Sequence, residues 1–339
     1  MKALFIGDLH IGVKNDDPWI QNIQRDFIRQ AIKYSVETGI TQWLQTGDFG
    51  DTRRAITHKC LEFTREIVGM IDDAGIQMDV IIGNHDMHFK DRIHPNFCSE
   101  VLTQFSNVRV YDKPTTIDLD GLKFDMIPWI CDENRQEIYD FIKASESKYC
   151  MGHYELAGFY FYKGIESHGS DPAFLSKYTK VFSGHFHTSS EARNILFIGT
   201  GYTITSGDEN DTRGFWVFDT EAGSCEHIRN ETIWHRRIKY PAQAVNPNTY
   251  KGLAVRVFVD EVDDDLVKFE SDLESVVHSL KIIINQKTVE LTEEESDVNV
   301  ESLTDVIKTY ISLQEVTPEA QEAVTSIAIG LYDEAIKLQ

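Results

Sequence analysis

The chain has 339 residues, with 33 Lys+Arg against 55 Asp+Glu, and its formal net charge is -22 at pH 7. The length exceeds one average domain, so we expect a large unit with a smaller appendage. A chain this acidic does not bind nucleic acid through its overall charge, so a DNA substrate would require metal ions, local basic residues or a partner. The charge is concentrated in residues 241–339, where 7 Lys+Arg face 20 Asp+Glu, or -13, against -9 for the first 240 residues.

No targeting or membrane segment is predicted. The opening MKALFIGD is too short an apolar run for a signal peptide, and no stretch is long enough to span a bilayer. The five cysteines are odd in number and have no close pair, which is typical of reduced thiols. We therefore expect a cytoplasmic protein with no membrane contact, no disulfide framework and no zinc finger.

The first 240 residues alternate short apolar runs with amphipathic segments, as α/β folds do. ALFI at 3–6 predicts a buried strand. Asp17 and Gly39 are start and stop signals for a helix from Pro18 to Thr38. A strand at 42–46, a helix at 57–74 and a strand at 79–83 are predicted next.

Hairpins are predicted further along this region. Asp120-Gly121 lies between alternating runs, a strong hairpin pattern, and GFWVFDTEAGSCEHI at 214–228 predicts a second one. FYFY at 159–162 alternates like a buried strand, so core packing is favoured over stacking on bases. Parallel units followed by hairpins predict mixed sheets with helices outside.

The last third of the chain has a different organisation. The stretch 241–250 is interpreted as a linker, because Asn246 and Pro247 are loop residues. A strand-helix-strand module with a helix at about 264–280 follows, and then an acidic connection and two amphipathic helices at about 302–314 and 318–338. The predicted domains are 1–240, 241–300 and 301–339.

Polar side chains end apolar runs at five places, each marked by a glycine. The motifs GDLH, GDFGD, GNHD, MGHY and GHFH supply Asp8, His10, Asp48, Asp51, Asn84, His85, Asp86, His153, His185 and His187. Because ligands gather beyond the carboxyl ends of strands in open α/β sheets, we expect these groups to converge at one rim.

The types of these residues indicate metal chemistry. Carboxylates, imidazoles and an amide without cysteine suit two divalent ions of the manganese, iron or zinc type. Such a pair clamps the attacking and leaving oxygens of a phosphate ester, and it needs a bridging carboxylate, for which Asp48 is the best candidate.

Each motif alone also has an ordinary interpretation. A lone Asp-x-His is usually a turn at a strand end, and most histidines are not ligands. The complete ordered set favours a dimetal site over those separate interpretations. Seven histidines lie outside the motifs and are interpreted as ordinary: His58, His88, His94, His168, His227, His235 and His278.

From Asp8 to His187 the ordered pattern D-x-H, G-D-x-x-D, G-N-H-D, H and G-H-x-H resembles the calcineurin-like metallophosphoesterases. This resemblance implies an α/β metallophosphoesterase fold, with two mixed β-sheets sandwiched between helices (αββα). It implies two divalent ions, most often Mn²⁺. One ion would be held by Asp8, His10, Asp48 and His187, and the other by Asp48, Asn84, His153 and His185.

Within that superfamily the chain is similar to the nuclease subunits of SbcCD-type DNA repair complexes, through GDLHIG, AITHK, FYFYKG, SGHFH and the GDEND before Arg213. The resemblance implies a dimetal-dependent DNA nuclease, an exonuclease on duplex ends and an endonuclease on single strands. It would act with a coiled-coil ATPase in end processing, recombination and repair, in the host cytoplasm if the gene belongs to a bacteriophage.

The same resemblance implies an organisation for the rest of the molecule. A small α+β cap at 241–300 would bind double- and single-stranded DNA. The C-terminal helices at 301–339 would dock on the ATPase coiled coil. A homodimer would form through helices of the catalytic domain, such as 57–74 and 96–105.

Three further residues are candidates for catalysis. His85 stands beside Asn84 and could give a proton to the departing sugar oxygen or stabilise the transition state. Asp86 could orient the His85 ring, and Asp51 could lie behind the metal ligands, with turn capping as an equal alternative for both.

The basic candidates for DNA contact are two pairs. Arg53 and Arg54 follow the Asp48 loop and could meet phosphates, although adjacent arginines are usually a solvated turn. For Arg236 and Arg237, phosphate contact and an ordinary surface position are evenly matched.

Two positions depart from the pattern of the similar families. Gly50 stands where relatives usually carry a bulky apolar residue, which predicts a looser turn at Asp48 and Asp51. Gly201 replaces a proline that many relatives have. Neither change removes a ligand.

Two other functions remain open from the sequence. A phosphomonoesterase of the protein-phosphatase branch would have nearly the same ligands, but that branch favours GDxxDRG and GNHE, where this chain has GDFGDTR and GNHD. A non-catalytic docking subunit would keep the fold for assembly, and the intact ligand set argues against it.

Overall fold

The computed structural model describes residues 1–51, 53, 55–162, 165–242, 246–284 and 324–325. Met1–Asn285 form one compact unit, and Gln286–Gln339 form a second. The helices predicted at 302–314 and 318–338 lie outside the described residues except for Val324 and Thr325, and Arg54 lies outside them too. Within the described ranges no helix has the length and apolar character needed to cross a membrane.

The strands of the first unit are numbered in chain order. They are β1 Lys2–Ile6, β2 Gln42–Gln45, β3 Gln77–Ile81, β4 Val108–Tyr111, β5 Thr115–Leu119, β6 Leu122–Ile127, β7 Tyr149–His153, β8 Tyr160–Tyr162, β9 Ile165–Glu166, β10 Lys180–Gly184, β11 Ser190–Ala192, β12 Ile195–Phe197, β13 Gly214–Asp219, β14 Ser224–Arg229, β15 His235–Tyr240, β16 Ala254–Val259 and β17 Ser279–Ile284. The helices are α1 Val13–Asp16, α2 Pro18–Thr38, α3 His58–Asp73, α4 Phe97–Val101, α5 Arg135–Ala144 and α6 Leu266–Glu274.

Two six-stranded mixed sheets form the centre of the fold. The first has the order β14-β13-β1-β2-β3-β4, in which β1 to β4 are parallel and β13 pairs antiparallel with both β1 and β14. The second has the order β11-β12-β10-β7-β6-β5, with β12, β10, β7 and β6 parallel and an antiparallel strand at each edge.

The layers follow from alternation of side chains along the strands. In β1, Phe5 faces the second sheet, where its ring packs edge-on against Phe182 at 4.8 Å between centroids. Leu4 faces the other way, into a core that includes Phe27 of α2 and Ile67 of α3. Helix α5 covers the outer face of the second sheet. The predicted αββα arrangement, two mixed sheets between helices, is confirmed.

Helix α2 has the predicted bounds because its ends are capped. The Asp17 side chain accepts a hydrogen bond from the Trp19 backbone N–H at 2.8 Å, and Pro18 occupies the first turn. At the other end Gly39 adopts a left-handed φ of 73°, and its N–H bonds the Ser35 carbonyl.

The predicted hairpins are present. Strands β5 and β6 pair antiparallel through Asp120 and Gly121, whose φ values are 58° and 83°. Strands β13 and β14 also pair antiparallel. In the FYFY segment Phe159 is buried at 5% exposure, but Tyr160 is 58% exposed, so core packing was the wrong prediction for Tyr160.

A small parallel sheet, β15-β16-β17, follows the second hairpin. Helix α6 contributes Leu266 and Leu273 to a core with strand residues such as Val257. The helix predicted at about 264–280 ends at Glu274, because the chain must return to the sheet, where Ser279 pairs with Ala254.

Candidate dimetal centre

The carboxyl ends of five strands deliver the motif side chains to one rim of the two sheets. Strands β1, β2 and β3 belong to the first sheet, and β7 and β10 belong to the second. Seven residues meet there: Asp8, His10, Asp48, Asn84, His153, His185 and His187. The expected convergence therefore occurs where the carboxyl ends of strands from both sheets meet.

The first group of donor atoms comes from Asp8, His10 and His187. The Nε2 atoms of His10 and His187 face each other at 3.0 Å. The His10 Nε2 lies 4.0 Å from Asp8 Oδ2 and also 4.0 Å from Asp48 Oδ2. Two carboxylates and two imidazoles thus surround one small volume.

The second group comes from Asp48, His153 and His185, with Asn84 beside them. Asn84 Oδ1 lies 3.0 Å from His153 Nε2 and 2.9 Å from His185 Nδ1. His153 Nε2 is 3.3 Å from Asp48 Oδ2. The same Asp48 oxygen therefore faces both groups, which is the position that a bridging carboxylate requires.

These separations fit the geometry of bound divalent ions. Two donors, each about 2.1 Å from a cation, lie about 3.0 Å apart at a right angle and about 4.2 Å apart when opposite. The observed separations between donor atoms, from 2.9 to 4.0 Å, fall within or next to that range. The residues present could hold two metal ions with small side-chain movements.

Contacts behind the donors, an ion pair at His10 and a hydrogen bond at His153, fix which nitrogen faces the site. His10 Nδ1 lies 3.0 Å from Asp51 Oδ1, and His153 Nδ1 lies 2.7 Å from the Thr46 carbonyl oxygen. An acceptor at Nδ1 favours the tautomer with the proton there, and this leaves the Nε2 lone pair for a metal. Both histidines are therefore oriented as ligands.

The electrostatics of the cluster favour a cation. Burial lowers the pKa of His10, but the Asp51 hydrogen bond and the charges of Asp48 and Asp8 outweigh it and raise the pKa to about 9. Burial also lowers the pKa of His153. The charges of Asp48 and Asp8 outweigh this effect and raise the pKa to about 9. Three carboxylates thus create a negative field that attracts positive charge.

The other groups respond to the same surroundings. Burial, followed by the charge of His153, lowers the pKa of His185 to about 3, and burial followed by the charge of His10 lowers that of His187 to about 3. Burial raises the pKa of Asp8 to about 6. For Asp48, burial opposes ionisation, but the neighbouring histidines hold its pKa well below the usual range.

Three of the seven residues adopt a left-handed backbone conformation. The φ values are 49° at His10, 53° at Asp48 and 88° at His185. This region is unfavourable for residues with a Cβ, and such strain concentrates at functional sites. The surrounding packing holds these three side chains in directions that a relaxed strand end would not give.

Close packing explains the glycine before most of the motifs. Of the five glycines only Gly47 has a left-handed φ, at 91°. A Cβ on Gly83 would lie 2.2 Å from the Asp48 backbone nitrogen and 2.2 Å from its Oδ1. A side chain at 83 would therefore displace the bridging carboxylate.

The catalytic candidates occupy different positions around the site. His85 Nδ1 lies 3.5 Å from Asp51 Oδ1, and the His85 backbone N–H donates to Asp48 Oδ1 at 2.7 Å. The His85 side chain is 39% exposed. Asp51 thus contacts both the His10 and the His85 rings.

Asp86 has a different environment. Its carboxylate oxygens accept hydrogen bonds from the backbone N–H groups of Gly50 and Gly83, both at 2.8 Å. Burial and the charge of Asp48 raise the pKa of Asp86 to about 7. These contacts join two loops of the site, and they match the turn-capping alternative instead of an orienting contact with His85.

The two departures from the family pattern are explained by neighbouring aromatic rings. A Cβ on Gly50 would lie 2.7 Å from the ring of Phe97, and one on Gly201 would lie 2.0 Å from the ring of Phe27. Both rings are buried. In each case an aromatic ring fills the space of the missing side chain, so the Gly50 turn is tightly packed and not loose.

The basic candidates are spread over two regions. Arg53 lines a cavity of about 110 Å³ together with Asp86 and His88. Arg236 lines a groove of about 340 Å³ between α2 and the small sheet, and Arg237 lies over the Phe258 ring at 4.1 Å. None of these three contacts the ligand groups directly.

Two residues beside the site were missed by the sequence argument. Trp129 follows β6 on the same rim, and its ring centroid lies 5.1 Å from that of His185 and 5.7 Å from that of His153. It also lines a cavity of about 170 Å³ next to His153. Attention to every strand end, and not only to those with metal-ligand residue types, would have identified Trp129. The second residue is Arg213, whose guanidinium donates to the His187 carbonyl oxygen.

Comparison with known proteins gives consistent matches. Residues 1–189 match the calcineurin-like phosphoesterase family. Over 337 residues the chain is 52% identical to exonuclease subunit 1 of Enterobacteria phage T4, with 99% of each chain covered.

The matches to solved structures are more distant. An archaeal phosphodiesterase is 14% identical with a TM-score of 0.36, over 68% of this chain and 100% of that chain. Nuclease MPE of Pseudomonas putida is 17% identical with a TM-score of 0.31, over 67% of this chain and 87% of that chain.

Proposed function

We propose that the chain, which belongs to the calcineurin-like phosphoesterase family, is a two-metal DNA nuclease. The observation that carries this proposal is the Asp48 carboxylate, which faces two groups of nitrogen and oxygen donors. The phage T4 relative is named an exonuclease subunit, and this supports DNA as the substrate. The proposed activities are exonuclease on duplex ends and endonuclease on single strands.

The metal ions are proposed as the source of the hydrolytic chemistry. When bound, two divalent ions would polarise the phosphodiester and acidify the attacking water. Asp8, His10 and His187 would hold one ion, Asn84, His153 and His185 the other, and Asp48 both. Mn²⁺ is proposed, because a mixture of carboxylate, amide and imidazole donors without cysteine suits it.

His85 is proposed to move the proton. Its side chain is partly exposed, so it lies where the substrate approaches, and its Nδ1 is near Asp51. From there the ring can donate a proton to the sugar oxygen that departs. Asp51 would orient the rings of both His10 and His85, while Asp86 would hold the two loops together through Gly50 and Gly83.

DNA contact is proposed at basic side chains around the rim. Arg53 and Arg54 follow the Asp48 loop, and Arg236 and Arg237 lie in or next to β15 of the small sheet. These arginines would neutralise phosphates locally in a chain with a net charge of -22. Residues 241–300 are proposed as the cap, and their strand β16 pairs with β15, which carries Arg236 and Arg237.

The assembly is proposed from the relative and from the sequence. The name of the T4 protein, a subunit, supports a partner. We propose that the partner is a coiled-coil ATPase, that the amphipathic stripes within 301–339 dock on it, and that two copies pair through α3 and the region of α4. The proposed compartment is the cytoplasm of a bacterial host, and the proposed process is DNA recombination and repair.

An assay on defined substrates tests this function. End-labelled duplex DNA with Mn²⁺ should be degraded, and the Asp48→Asn variant should be inactive. A nitrophenyl diester should be cleaved faster than the corresponding monoester. A preference for the monoester would instead favour the protein-phosphatase branch. Absence of DNA hydrolysis with and without the ATPase would favour a docking subunit.

A further inference from the structure

Arg213 is a buried cation whose contacts end at one of the ligand residues. Its side chain is 3% exposed. The Nη1 group donates to the His187 main-chain carbonyl oxygen, and it also donates to Thr200 Oγ1 at 2.7 Å. The same His187 carbonyl accepts the Thr200 N–H at 2.9 Å. The backbone of His187 is therefore fixed by a charged donor and a neutral one.

Two carboxylates hold the guanidinium in place. Its Nη2 atom lies 3.1 Å from Asp208 Oδ1 and 3.2 Å from Asp211 Oδ2. Asp208 is itself fixed, since its Oδ2 accepts the N–H groups of Ile204 at 2.8 Å and Thr205 at 3.0 Å. Because a planar guanidinium held on two sides has little freedom, Arg213 can impose a position on His187.

The residues that hold Arg213 belong to a segment, 203–213, which we call the connector loop. Its other face contacts the small sheet. Glu209 is 8% exposed and accepts hydrogen bonds from Arg256 of β16, at 2.7 Å from Nε and 2.5 Å from Nη2. The Asn210 N–H donates to the His235 carbonyl of β15 at 3.1 Å. The connector loop thus joins the small sheet to a ligand residue.

The second ligand group is held by other contacts, and even His185, two residues from His187, is fixed by its own N–H, which donates to Asp8 Oδ2 at 3.0 Å. His153 is fixed by the Thr46 carbonyl after β2, and the Asp48 carboxylate accepts the His85 N–H in the loop after β3. A disturbance of the connector loop therefore acts on the His187 side of the site. This asymmetry distinguishes positioning from a general loss of stability.

We propose that Arg213 is a positioning residue for His187, and that through the connector loop the placement of the small sheet sets the affinity of the ion held by Asp8, His10 and His187. The inference rests on the proposed two-metal function for the presence of that ion. Residues behind metal ligands typically change metal affinity about 10–100-fold when they are replaced. A movement of the small sheet when substrate binds would then change the affinity for one ion and leave the affinity for the other unchanged.

The test is a Mn²⁺ titration of the metal-free full-length chain by calorimetry, which needs no activity. Arg213→Gln should weaken one of two binding events about 10–100-fold and leave the other within about twofold. Arg213→Lys should restore part of that loss, because it keeps the charge. Arg256→Gln should weaken the same event by a smaller factor.

Arg109→Gln is the matched control. Arg109 also pairs with a buried carboxylate, Asp79, at 2.6 Å, but on β4 at the edge of the first sheet, so its loss should leave both binding events unchanged. Parallel weakening of both events in Arg213→Gln would overturn the positioning role. If that variant does not fold, the partly exposed Arg256 decides: unchanged binding in Arg256→Gln would overturn the coupling.

These outcomes are separable from failure of the proposed function. A wild-type chain that binds two ions and cleaves no DNA would refute the nuclease and leave the positioning role standing. A wild-type chain without paired binding events would refute both.

Discussion

Replacement of His85 by serine separates proton transfer from metal binding. The variant keeps the backbone N–H that bonds Asp48 Oδ1, so the bridging carboxylate stays supported. It removes only an imidazole that is 39% exposed and whose Nδ1 lies 3.5 Å from Asp51. We therefore expect both metal ions and the fold to be retained, with a change in stability of about 0.5 kcal/mol or less.

The expected loss is in turnover. A positioned acid contributes about 10²- to 10⁴-fold to a proton transfer. At about 1.36 kcal/mol for each factor of ten, this corresponds to an increase in the activation free energy of about 2.7–5.4 kcal/mol. The kcat on end-labelled duplex DNA in Mn²⁺ should fall by that factor.

The geometry places His85 in a third group of possible donors, separate from the two groups of the proposed ions. His10, Asp51 and His85 could together hold an ion, but that ion would use His10 Nδ1, whereas the proposed ion uses His10 Nε2. His88→Ser, on the same loop, is the control and should retain full turnover. Loss of a metal ion in His85→Ser would make it a ligand, and unchanged turnover would remove it from the reaction.

Three further predictions follow from the site, the packing and the tail. Asp48→Asn should reduce Mn²⁺ binding at both sites and abolish hydrolysis, and a variant with two ions and normal rates would refute bridging by Asp48. Gly201→Ala should destabilise the fold by about 1–3 kcal/mol, because the new Cβ clashes with Phe27. Gly69→Ala in α3, where a Cβ meets no atom within 4 Å, should stabilise the fold by about 0.5–1 kcal/mol. Equal denaturation midpoints of the two variants would contradict this. Deletion of residues 301–339 should leave cleavage of a small diester intact but abolish co-purification with the ATPase, and retained co-purification would refute the docking assignment.

Local features of the fold were predictable because they depend on neighbouring residues. The bounds of α2 follow from Asp17, Pro18 and Gly39, which all act within one turn of the helix. The turn at Asp120-Gly121 is equally local. The convergence of the motifs was predictable as well, since parallel strands place their carboxyl ends at one edge of a sheet.

Features that depend on distant residues were not predictable. Arg213 contacts the His187 carbonyl across 26 positions, and no periodicity encodes that distance. The end of α6 depends on the pairing of Ser279 with Ala254, and the 58% exposure of Tyr160 depends on tertiary packing that the alternation of FYFY does not encode. The space beside Gly201 is filled by the ring of Phe27, which lies on α2, far earlier in the sequence.

The most direct test of the two-metal nuclease is a crystal structure of the Mn²⁺-soaked protein with data at the manganese absorption edge. We predict two anomalous peaks about 3.5–4 Å apart, one among Asp8, His10 and His187 and one among Asn84, His153 and His185, with Asp48 between them. A single peak, or a peak among His10, Asp51 and His85, would contradict the account.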